Sequence, residues 1–363
     1  MSYEPRANMR HVYVVIMAGG KGERFWPLST GNVPKPFLNI TGDKTLIRLT
    51  VERAMRIVPE ARIYVILSKQ QLSIARRQLP FLPAGNFIVE PEGKDTAPCV
   101  GLAAITLLKE DRKATMIALP ADHYIADIDG FVKTIKDGVK VAQKGDHLVT
   151  VGIRPVRPET GYGYICVSGK AYPSGDLECY NVRRYVEKPD VRRAKAYYKD
   201  PRYYWNAGMF IWKAETILGS MKHHMPELYK GLLQIGSHMD ANRKGMIKRI
   251  FGDFAKISID YGLMQKAGNV MMMPARFTWD DIGTWASLGR ISTPDEYGNC
   301  KTGSIVGIDT KDCVIHGEGV TIGTIGISRL VIVAVKGSVL VCDIDRVQEV
   351  REIAQRLSSK KDI

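Results

Sequence analysis

The stretch "VVIMAGGKGERFWPLSTGNVPKPFLNI", residues 14–40, gives the first indication of how this chain folds. An apolar, β-branched run leads into a glycine-rich turn, followed by Arg24 and by Lys35 between two prolines. Glycines after a buried strand let backbone N–H groups come close to a phosphate chain or a base. Arg24 offers a fork of donors to phosphate oxygens, and Lys35 offers a compact charge on a segment that the prolines stiffen. The stretch therefore predicts a strand and turn that bind a polyanion.

Two familiar phosphate-binding patterns do not fit this loop. A dinucleotide-binding G-x-G-x-x-G pattern needs glycine where Phe25 stands, because its third glycine lets helix and strand pack closely. A nicotinamide oxidoreductase is therefore disfavoured. The Walker A string G-x-x-x-x-G-K-[ST] is absent from the sequence. What remains is a loop whose glycines bring the backbone close to phosphates or a base.

Around this loop, short β-branched runs alternate with amphipathic stretches as far as about Pro155. The predicted strands are residues 12–18, 62–68, 86–91, 114–123 and 147–153. The predicted helices are residues 45–58, 70–79, 96–111 and 131–145. This alternation indicates βαβ units and a largely parallel sheet with helices on both faces. Ligands bind beyond the carboxyl ends of such strands, so "AGGKGER" and "PADHY" are expected at the same rim.

The second half of the chain is less regular. Short strands are predicted at residues 162–168, 179–188 and 207–218, among helical stretches. After about Leu288 the sequence is rich in Val and Ile, punctuated by Gly, without helical periodicity, which predicts a small all-β unit resembling a short β-solenoid. One helical stripe closes the chain: Val347, Val350, Ile353, Ala354 and Leu357. We expect it to dock on the β unit or on a neighbouring subunit.

The formal net charge of +14 implies acidic partners: nucleic acid, a membrane surface or small phosphorylated ligands. Residues 183–205 mix cations with aromatics, as nucleic-acid surfaces do, but no nucleic-acid motif accompanies them. A solvated helix face with a few phosphate-binding cations is the favoured interpretation. Substrates that carry several negative charges would explain the positive potential.

Other bulk properties exclude further classes. No apolar run approaches 18 residues, so no transmembrane helix is expected. Residues 1–10 are polar, lack the apolar core of a signal peptide, and are expected to be a flexible N-terminus. The six cysteines are scattered without C-x-x-C spacing, which argues against zinc and against a disulfide framework. A cytoplasmic location follows by default.

The motifs then resemble a known family. "MAGGKGERFWPLSTGNVPKPFLNI" resembles the signature of sugar-phosphate nucleotidyltransferases, and further stretches resemble the mannose-1-phosphate guanylyltransferase branch. In family order these are "EPEGKDTAP" (90–98), "LPADHYI" (119–125), "TGYGYI" (160–165), "VEKP" (186–189), "WNAGMF" (205–210) and "FTWDDIGTW" (277–285). The resemblance covers nearly the whole chain, including the β-rich end.

The resemblance implies an α/β fold. A Rossmann-like (GT-A-type), mostly parallel sheet would form a nucleotidyltransferase domain at residues 11–288. A small β-rich, left-handed β-helix-like domain with a terminal helix would occupy residues 289–363. Many bacterial relatives continue into a cupin-like phosphomannose isomerase domain, and this chain ends about a hundred residues too early for one. A monofunctional enzyme is therefore expected.

The reaction that the resemblance implies moves the GMP moiety of GTP to mannose 1-phosphate, giving GDP-mannose and pyrophosphate. No protein nucleophile is needed, since a sugar-phosphate oxygen attacks the α-phosphorus. The protein must instead hold two polyanions in line and offset the charge of the transition state. By resemblance, Arg24, Lys35 and Lys188 are the catalytic cations, with Lys188 on the phosphate of the sugar.

The remaining site residues are carried over from the same motifs. Nucleotide-binding residues are Ala18, Gly19, Gly20, Gly22, Lys94, Asp95, Thr96, Pro120 and Asp122. Sugar-binding residues are Tyr162, Gly163, Glu187, Lys188 and Asn206. The expected cofactor is Mg²⁺, held by Asp122 and Asp281, because magnesium commonly combines one or two carboxylates with phosphate oxygens and water.

Three positions leave alternatives open. Asp280 adjoins Asp281, and the family motif, with its aspartate just before the Ile-Gly pair, favours Asp281. His123 lacks a second histidine or cysteine at zinc-ligand spacing, so a structural role is expected. Lys94 and Asp95 stand where Arg and Asn are usual. The Asp95 carboxylate is able to accept hydrogen bonds from guanine N1–H and N2–H₂, or it signals an altered choice of base.

Alternative functions also remain open. The same chemistry is compatible with another manno-configured substrate, such as a heptose 1-phosphate, or with another NTP. A non-catalytic nucleotide-sugar binding protein is the alternative from a different class, although a pure binder would not need the metal pair. The partners expected are GTP and mannose 1-phosphate, without nucleic acid or membrane. The β unit and the tail helix suggest a homodimer.

Overall fold

A computed structural model of the chain describes residues 9–20, 22–31, 33–172, 177–241, 243–335 and 337–359. Most of the N-terminal segment that we expected to be flexible, residues 1–8, lies outside the described residues. A 3₁₀ turn at Met9–His11 precedes the first strand.

The strands and helices follow the alternation expected from the sequence. The strands are β1 (Val12–Met17), β2 (Ile63–Ser68), β3 (Phe87–Glu90), β4 (Thr115–Pro120), β5 (Tyr124–Ile125), β6 (Leu148–Ile153), β7 (Tyr164–Lys170), β8 (Tyr180–Val186), β9 (Tyr203–Lys213), β10 (Val270–Pro274), β11 (Trp279–Asp280), β12 (Cys300–Ile308), β13 (Val314–Ile325), β14 (Leu330–Val335) and β15 (Ser338–Asp343). The helices are α1 (Leu46–Met55), α2 (Leu72–Gln78), α3 (Thr96–Glu110), α4 (Ile128–Lys144), α5 (Val191–Lys199), α6 (Ala214–His224), α7 (Pro226–Asp240), α8 (Lys244–Gly252), α9 (Leu288–Ile291) and α10 (Val350–Ser359).

Within the described ranges, one large sheet has nine strands in the order β3-β2-β1-β4-β9-β6-β10-β8-β7. Strands β3, β2, β1 and β4 are parallel neighbours, as are β6 and β10. Strands β8 and β9 run against their neighbours, so the sheet is mixed, more so than the mostly parallel sheet that we expected. The order of the first four strands brings the carboxyl ends of β1, β2, β3 and β4 to one rim.

Strand β9 also corrects one boundary. The sequence predicted a strand at residues 207–218, whereas β9 spans Tyr203–Lys213 and α6 begins at Ala214. Burial alternates only over residues 205–209, and most of the other residues of β9 are buried, as expected for a strand covered on both faces. The acidic Glu215 lies in the first turn of α6, where the helix dipole favours a negative charge.

Apolar side chains pack on both faces of the sheet. Helices α1, α2 and α4 cover one face, and α3, α6 and α7 cover the other. Burial on both faces explains why the central strands are continuous runs of Val and Ile. The six cysteines are all free thiols, in agreement with the absence of a disulfide pattern. None of the helices in the described residues is long and apolar enough to cross a membrane.

The C-terminal unit is a small four-stranded β unit, as the Val- and Ile-rich pattern predicted. Strands β12, β13 and β14 stack in parallel, and β15 returns antiparallel to β14. A third apolar cluster joins this unit to the glycine-rich loop: it includes Phe25, Trp285 and Val331. The C-terminal unit therefore packs directly against the loop that follows β1.

Helix α10 has two neighbours. Val347 and Val350, the first two residues of the predicted stripe, are buried in the same third cluster, so the stripe docks on the β unit at its start, whereas Ile353 and Leu357 are exposed. Beyond them the helix crosses to the 3₁₀ turn Glu23–Phe25, where Arg351 Nε lies 3.0 Å from Glu23 Oε2 and Gln355 Nε2 donates to the same oxygen at 3.1 Å. Contact with the glycine-rich loop was not expected from the sequence.

Candidate active site

A cleft of about 1320 Å³ opens at the carboxyl ends of β1, β2, β3 and β4. Gly19 and Gly20 from the loop after β1 line it, and so does Asp122 from the loop after β4. The expectation that "AGGKGER" and "PADHY" meet at one rim is therefore confirmed. The cleft extends to Asn206 and Glu187, far along the chain, so it has room for a nucleotide beside a sugar phosphate.

The glycines of the loop have separate roles. A Cβ on Gly19 or Gly20 would meet no atom within 4 Å, so these residues leave open space in front of the backbone. Gly22 has φ +65°, and a Cβ there would lie 2.5 Å from Lys35 Cβ and 2.7 Å from Lys35 N. Gly22 therefore allows the loop to pack closely against the segment that carries Lys35. Ala18, by contrast, is fully buried beneath the loop.

Lys35 connects the two halves of the site. Its side chain is nearly buried, its Nζ lies 2.8 Å from Asp122 Oδ2, and it donates to the backbone O of Asp281 at 2.6 Å. The ammonium also lies 5.8 Å from the centre of the Phe25 ring. These contacts hold a single positive charge between the two predicted metal-binding residues.

The carboxyl groups of Asp122 and Asp281 differ in their electrostatics. Burial alone would raise the pKa of Asp122, but the ammonium of Lys35 outweighs it, so this pKa lies below its ordinary value. Burial raises the pKa of Asp281, and Lys35 opposes this only in part. Asp281 Oδ1 accepts hydrogen bonds from Tyr162 Oη at 2.6 Å and from Gly283 N at 3.1 Å.

The structure gives Asp280 and Asp281 different environments. Both oxygens of Asp280 pair with Arg290: Nε is 2.7 Å from Oδ2, and Nη2 donates to Oδ1 at 2.9 Å. Asp280 Oδ1 also accepts from Ile282 N at 2.8 Å. Asp280 is thus a buried structural carboxylate, whereas Asp281 lines the cleft. The geometry agrees with the choice of Asp281 from the sequence motif.

The donors present fit a magnesium ion. In the described residues no group of three or more His, Cys, Asp or Glu side chains is arranged to hold a metal by itself. Asp122 and Asp281 both line the cleft beside the open glycines. Magnesium often takes one or two carboxylates and completes its shell with substrate phosphates and water, so a pair of this kind is adequate.

His123 has a structural environment. Its Nδ1 accepts a hydrogen bond from Trp279 Nε1 at 3.1 Å, and its backbone O accepts one from Arg53 Nη2 at 3.0 Å. Burial lowers the pKa of His123 to about 4, so the ring is neutral at pH 7. These contacts favour the structural role expected from the sequence.

Asn206 lies at the far end of the cleft with its amide fixed. Its Oδ1 accepts from Gly208 N at 3.1 Å and from Thr150 Oγ1 at 3.0 Å, and its Nδ2 donates to Asp260 Oδ1 at 3.2 Å. The backbone O of Gly163 accepts from Asn206 N at 2.8 Å. Asn206 of β9 and Gly163, the residue just before β7, were both predicted to bind the sugar, and the structure brings them together.

Glu187 and Lys188 follow β8 at the same end of the cleft. A Cβ on Gly163 would lie 2.5 Å from Glu187 Oε2, so Gly163 makes room for this carboxyl group. Burial, followed by the charge of Asp260, raises the pKa of Glu187 to about 7. Lys188 has φ +46° and a largely exposed ammonium, 3.6 Å from Glu187 Oε1.

Asp260 was not predicted from the sequence. It begins the π-helical turn Asp260–Met264, lines the cleft, and accepts hydrogen bonds from Tyr185 and Asn206. Burial raises its pKa. A carboxylate before the apolar residues "YGLM" is typical of a helix start, and nothing in that local pattern indicates a π-turn that faces a cleft.

The residues expected near the base divide into two groups. Asp95 and Thr96 line the cleft, and Asp95 Oδ1 accepts from Thr96 N at 2.7 Å, which caps α3. Lys94 points elsewhere: its Nζ donates to Gly252 O at 2.6 Å and lies 3.5 Å from Glu92 Oε2. Lys94 therefore ties the loop to α8. Pro120 lines the cleft between these residues and Asp122.

Arg24, predicted to be a catalytic cation, is not among the described residues that line the cleft. Its side chain is exposed, and Nη1 is 3.5 Å from the backbone O of Gly283, at the limit of a hydrogen bond. The C-terminal helix forms part of the cleft wall, because Ala354, Leu357 and Ser358 line the cleft together with Glu23. The amphipathic stripe predicted that α10 packs on an apolar surface, but it gave no indication of this position.

Comparison with known proteins agrees with this geometry, and the fold and cleft define a nucleotidyl transferase. The family model for "Nucleotidyl transferase" matches residues 13–297, and the model for "MannoseP isomerase/GMP-like beta-helix domain" matches residues 303–357. A mannose-1-phosphate guanylyltransferase of Salmonella montevideo is 37% identical over 350 residues, covering 94% of this chain and 73% of that protein. The alginate biosynthesis protein AlgA of Pseudomonas aeruginosa is 35% identical, covering 95% and 72%.

Solved structures agree as well. The crystal structure of a mannose-1-phosphate geranyltransferase from Thermus thermophilus superimposes with a TM-score of 0.87 at 35% identity, over 96% of this chain and 99% of that one. A Helicobacter pylori mannose-6-phosphate isomerase, 24% identical with a TM-score of 0.59, shares the fold over 74% of this chain and 99% of its own. The chain belongs to the mannose-1-phosphate guanylyltransferase family of nucleotidyl transferases, enzymes that transfer a nucleotidyl group to a sugar phosphate.

Proposed function

We propose that this chain transfers the GMP moiety of GTP to mannose 1-phosphate, giving GDP-mannose and pyrophosphate. One observation carries the proposal: Lys35 lies between Asp122 and Asp281 at the rim where open glycines line the cleft. Such a site gathers positive charge and backbone donors around a triphosphate. The mannose-1-phosphate guanylyltransferase of Salmonella montevideo, the relative reported above, supports the choice of both substrates.

In the proposed reaction, an oxygen of the sugar phosphate forms a bond to the α-phosphorus of GTP. The bond from that phosphorus to the bridging oxygen of the β-phosphate breaks, and pyrophosphate leaves with the electron pair. Gly19 and Gly20 allow the phosphate chain to approach the backbone. Lys35 and Arg24 offset the charge of the triphosphate and of the departing pyrophosphate.

The sugar end positions the attacking group. Lys188 would hold the phosphate of the sugar, and the fixed amide of Asn206 and the carboxyl group of Glu187 would hydrogen-bond the sugar hydroxyls. Tyr162, whose hydroxyl donates to Asp281, links this end to the phosphates. Holding two polyanions in one geometry supplies much of the catalysis, because it replaces a bimolecular encounter by an oriented one.

We further propose that Asp122 and Asp281 hold Mg²⁺. When bound, the ion would neutralise charge on the phosphate oxygens as a Lewis acid. The chain's own residues set the charge and orientation of the two carboxylates. Lys35 keeps Asp122 ionised, and Tyr162 and Gly283 fix the rotamer of Asp281.

The test is pyrophosphate release with four NTPs against mannose, glucose and manno-heptose 1-phosphates, each with Mg²⁺ or with EDTA. We expect the highest kcat/KM for GTP with mannose 1-phosphate, and loss of turnover in EDTA. A heptose 1-phosphate as the preferred substrate would replace the sugar assignment. Binding of GDP-mannose without any pyrophosphate release would support the non-catalytic alternative and overturn the proposal.

The organisation of the enzyme is part of the same proposal. We propose a nucleotidyltransferase domain at residues 11–288, a β-solenoid-like unit with its terminal helix at residues 289–363, a homodimer, and a cytoplasmic location. The third apolar cluster, which joins the glycine-rich loop to the β unit, supports two units that work as one body. Light scattering of the purified chain would test the dimer.

A further inference from the structure

Helix α10 reaches the cleft, a position to which neither the motifs of the sequence nor the names of the relatives assign a role. Ala354, Leu357 and Ser358 line the cleft. Arg351 and Gln355 lie on the same face of the helix as Ala354 and Ser358, because residues three, four and seven positions apart point in one direction. One face of α10 is therefore turned towards the glycine-rich loop and the space in front of it.

Apolar packing fixes the start of α10. Val347 and Val350 are buried in the third apolar cluster, which also contains Phe25 of the 3₁₀ turn Glu23–Phe25. The polar contacts that α10 makes further along are more exposed, and exposed ion pairs contribute little to stability. Docking of the helix therefore does not explain why its polar face meets the turn.

Glu23 puts a carboxylate at the edge of the cleft, beside the loop proposed to hold a triphosphate. Its side chain lines the cleft together with Gly19 and Gly20 and is 25% exposed. The walls of a cleft have a low dielectric constant, so charges inside it are screened less than in bulk water. A carboxylate without a partner at this position would oppose the binding of a polyanion.

Two side chains of α10 engage this carboxylate. Arg351 Nε lies 3.0 Å from Glu23 Oε2, and Gln355 Nε2 donates to the same oxygen at 3.1 Å. The guanidinium is 59% exposed, so the pair adds little to the stability of the fold. Its effect on a nearby anion is larger, because the positive charge of Arg351 cancels much of the field of Glu23.

We propose that α10 neutralises Glu23 and thereby favours binding of the triphosphate, with Arg351 and Gln355 as positioning residues that act through this carboxylate. The inference rests on the proposed function, because that function places the phosphate chain of GTP at the glycine-rich loop. It gives the C-terminal β unit, which carries α10, a part in binding GTP. The sugar end of the cleft, where Lys188 lies, takes no part in this effect.

The test compares the wild type with Arg351→Ala, Glu23→Gln and the double variant in assays of pyrophosphate release. Arg351→Ala leaves the charge of Glu23 without its cation, so KM for GTP should rise about two- to fivefold. Its kcat and its KM for mannose 1-phosphate should stay within about twofold. Glu23→Gln removes the charge itself, so its KM for GTP should equal or fall below that of the wild type. The double variant should behave like Glu23→Gln, because Arg351 then has no charge to neutralise.

A purely structural contact predicts a different order of the same variants. Glu23→Gln would then weaken the hold on α10 and raise KM for GTP, as Arg351→Ala does. Arg351→Lys is the conservative variant: it keeps the charge and should bring KM for GTP back to within about twofold of the wild type. Arg356→Ala is the matched control, since Arg356 lies 3.7 Å from Glu352 on the same helix, and it should leave KM unchanged. Added salt should reduce the effect of Arg351→Ala, because it screens Glu23.

Calorimetry with inorganic pyrophosphate and Mg²⁺ separates this inference from the proposed function. Pyrophosphate carries the charges of the phosphate chain and needs no turnover, so Arg351→Ala should weaken its binding about two- to fivefold and Glu23→Gln should not. A raised KM for GTP in Glu23→Gln, or a double variant that kept the loss of Arg351→Ala, would overturn the inference while the proposed reaction stood. If the wild type released no pyrophosphate with any NTP, the proposed function would fail, and pyrophosphate binding to the four proteins would decide the role of Arg351.

Discussion

Asp280 and Asp281 are neighbours in sequence, and the structure predicts opposite consequences for the same substitution at each. Asp281→Asn removes a negative charge from the cleft but keeps an oxygen for Tyr162 and Gly283. Asp280→Asn removes the charge that pairs with Arg290 and leaves the cleft intact. The two variants therefore form a matched pair that separates catalysis from stability.

The size of each effect follows from burial. Removing one partner of a buried ion pair costs about 3–5 kcal/mol, but Arg290 is 36% exposed, so solvent screens it and about 1–2 kcal/mol is expected for Asp280→Asn. For a protein of this size that lowers Tm by a few degrees. Asp281→Asn should leave Tm unchanged or raise it. Its carboxyl pKa is raised in the folded state, so the ionised form costs stability at every pH above the ordinary value.

On catalysis the order is the opposite: Asp281→Asn should have the large effect and Asp280→Asn the small one. Asp281→Asn should lower kcat by about 100-fold or more and raise the Mg²⁺ concentration needed for half-maximal rate, because it removes charge from the proposed metal site. Asp280→Asn should keep kcat within about threefold at a temperature well below its Tm. The assays are pyrophosphate release over a magnesium titration, and thermal unfolding followed by circular dichroism.

One pattern of results would refute this reasoning. If Asp280→Asn lost its magnesium dependence while Asp281→Asn kept nearly full turnover, the two carboxylates would have been assigned the wrong way round. If both variants kept turnover and magnesium dependence, neither would hold the metal, and the proposed role of Asp122 would need to be tested alone.

Three further substitutions test other parts of the cleft. Lys188→Ala should raise KM for mannose 1-phosphate about tenfold and leave KM for GTP within threefold, since its exposed ammonium is proposed to bind only the sugar phosphate. Gly22→Ala should lower both Tm and kcat, because a Cβ at φ +65° costs about 1–2 kcal/mol and would displace Lys35; unfolding and turnover are measured together. Arg351→Ala should shift Tm little, as exposed pairs contribute about 0–1 kcal/mol, but should raise KM for GTP two- to fivefold, because Glu23 beside the cleft then keeps only Gln355 of these two α10 partners.

Each of these three predictions would be contradicted by a different result. Equal losses for both substrates in Lys188→Ala would remove its specific role in binding the sugar phosphate. Gly22→Ala with normal turnover would mean that close packing on Lys35 is not needed. Arg356→Ala is the control for Arg351→Ala, because Arg356 pairs only weakly with Glu352 on the same helix, 3.7 Å away. If both variants raised KM for GTP alike, the effect would belong to the helix and not to Glu23.

The sequence predicted most of what depends on local pattern. The β-branched run before Gly19 and the helical spacing of residues 96–111 each determine an element through side-chain periodicity, and the structure has β1 and α3 there. The rim that joins Gly20 to Asp122 was also predictable, because parallel strands place their carboxyl ends together. The motif also pointed to Asp281, which lines the cleft while Asp280 pairs with Arg290, and its role as a metal ligand stays a prediction.

What the sequence did not predict depends on packing between distant segments. The direction of Lys94 is set by the backbone O of Gly252, far along the chain, and the position of Asp260 by a π-helical turn. Strand β9 enters the sheet antiparallel between β4 and β6, which alternation alone does not indicate. Such features arise from tertiary contacts, which a local pattern does not encode.

The contact between α10 and Glu23 has a consequence for truncated or chimaeric forms of this protein. Residues near position 20 and residues near position 355 together form one side of the cleft, so this side is complete only when both ends of the described chain are present. A fragment that stopped where the nucleotidyl transferase family model ends would expose Glu23 to water and leave this side of the cleft open. A chimaera that exchanges the C-terminal β unit between relatives must therefore carry a terminal helix that fits the glycine-rich loop of the recipient.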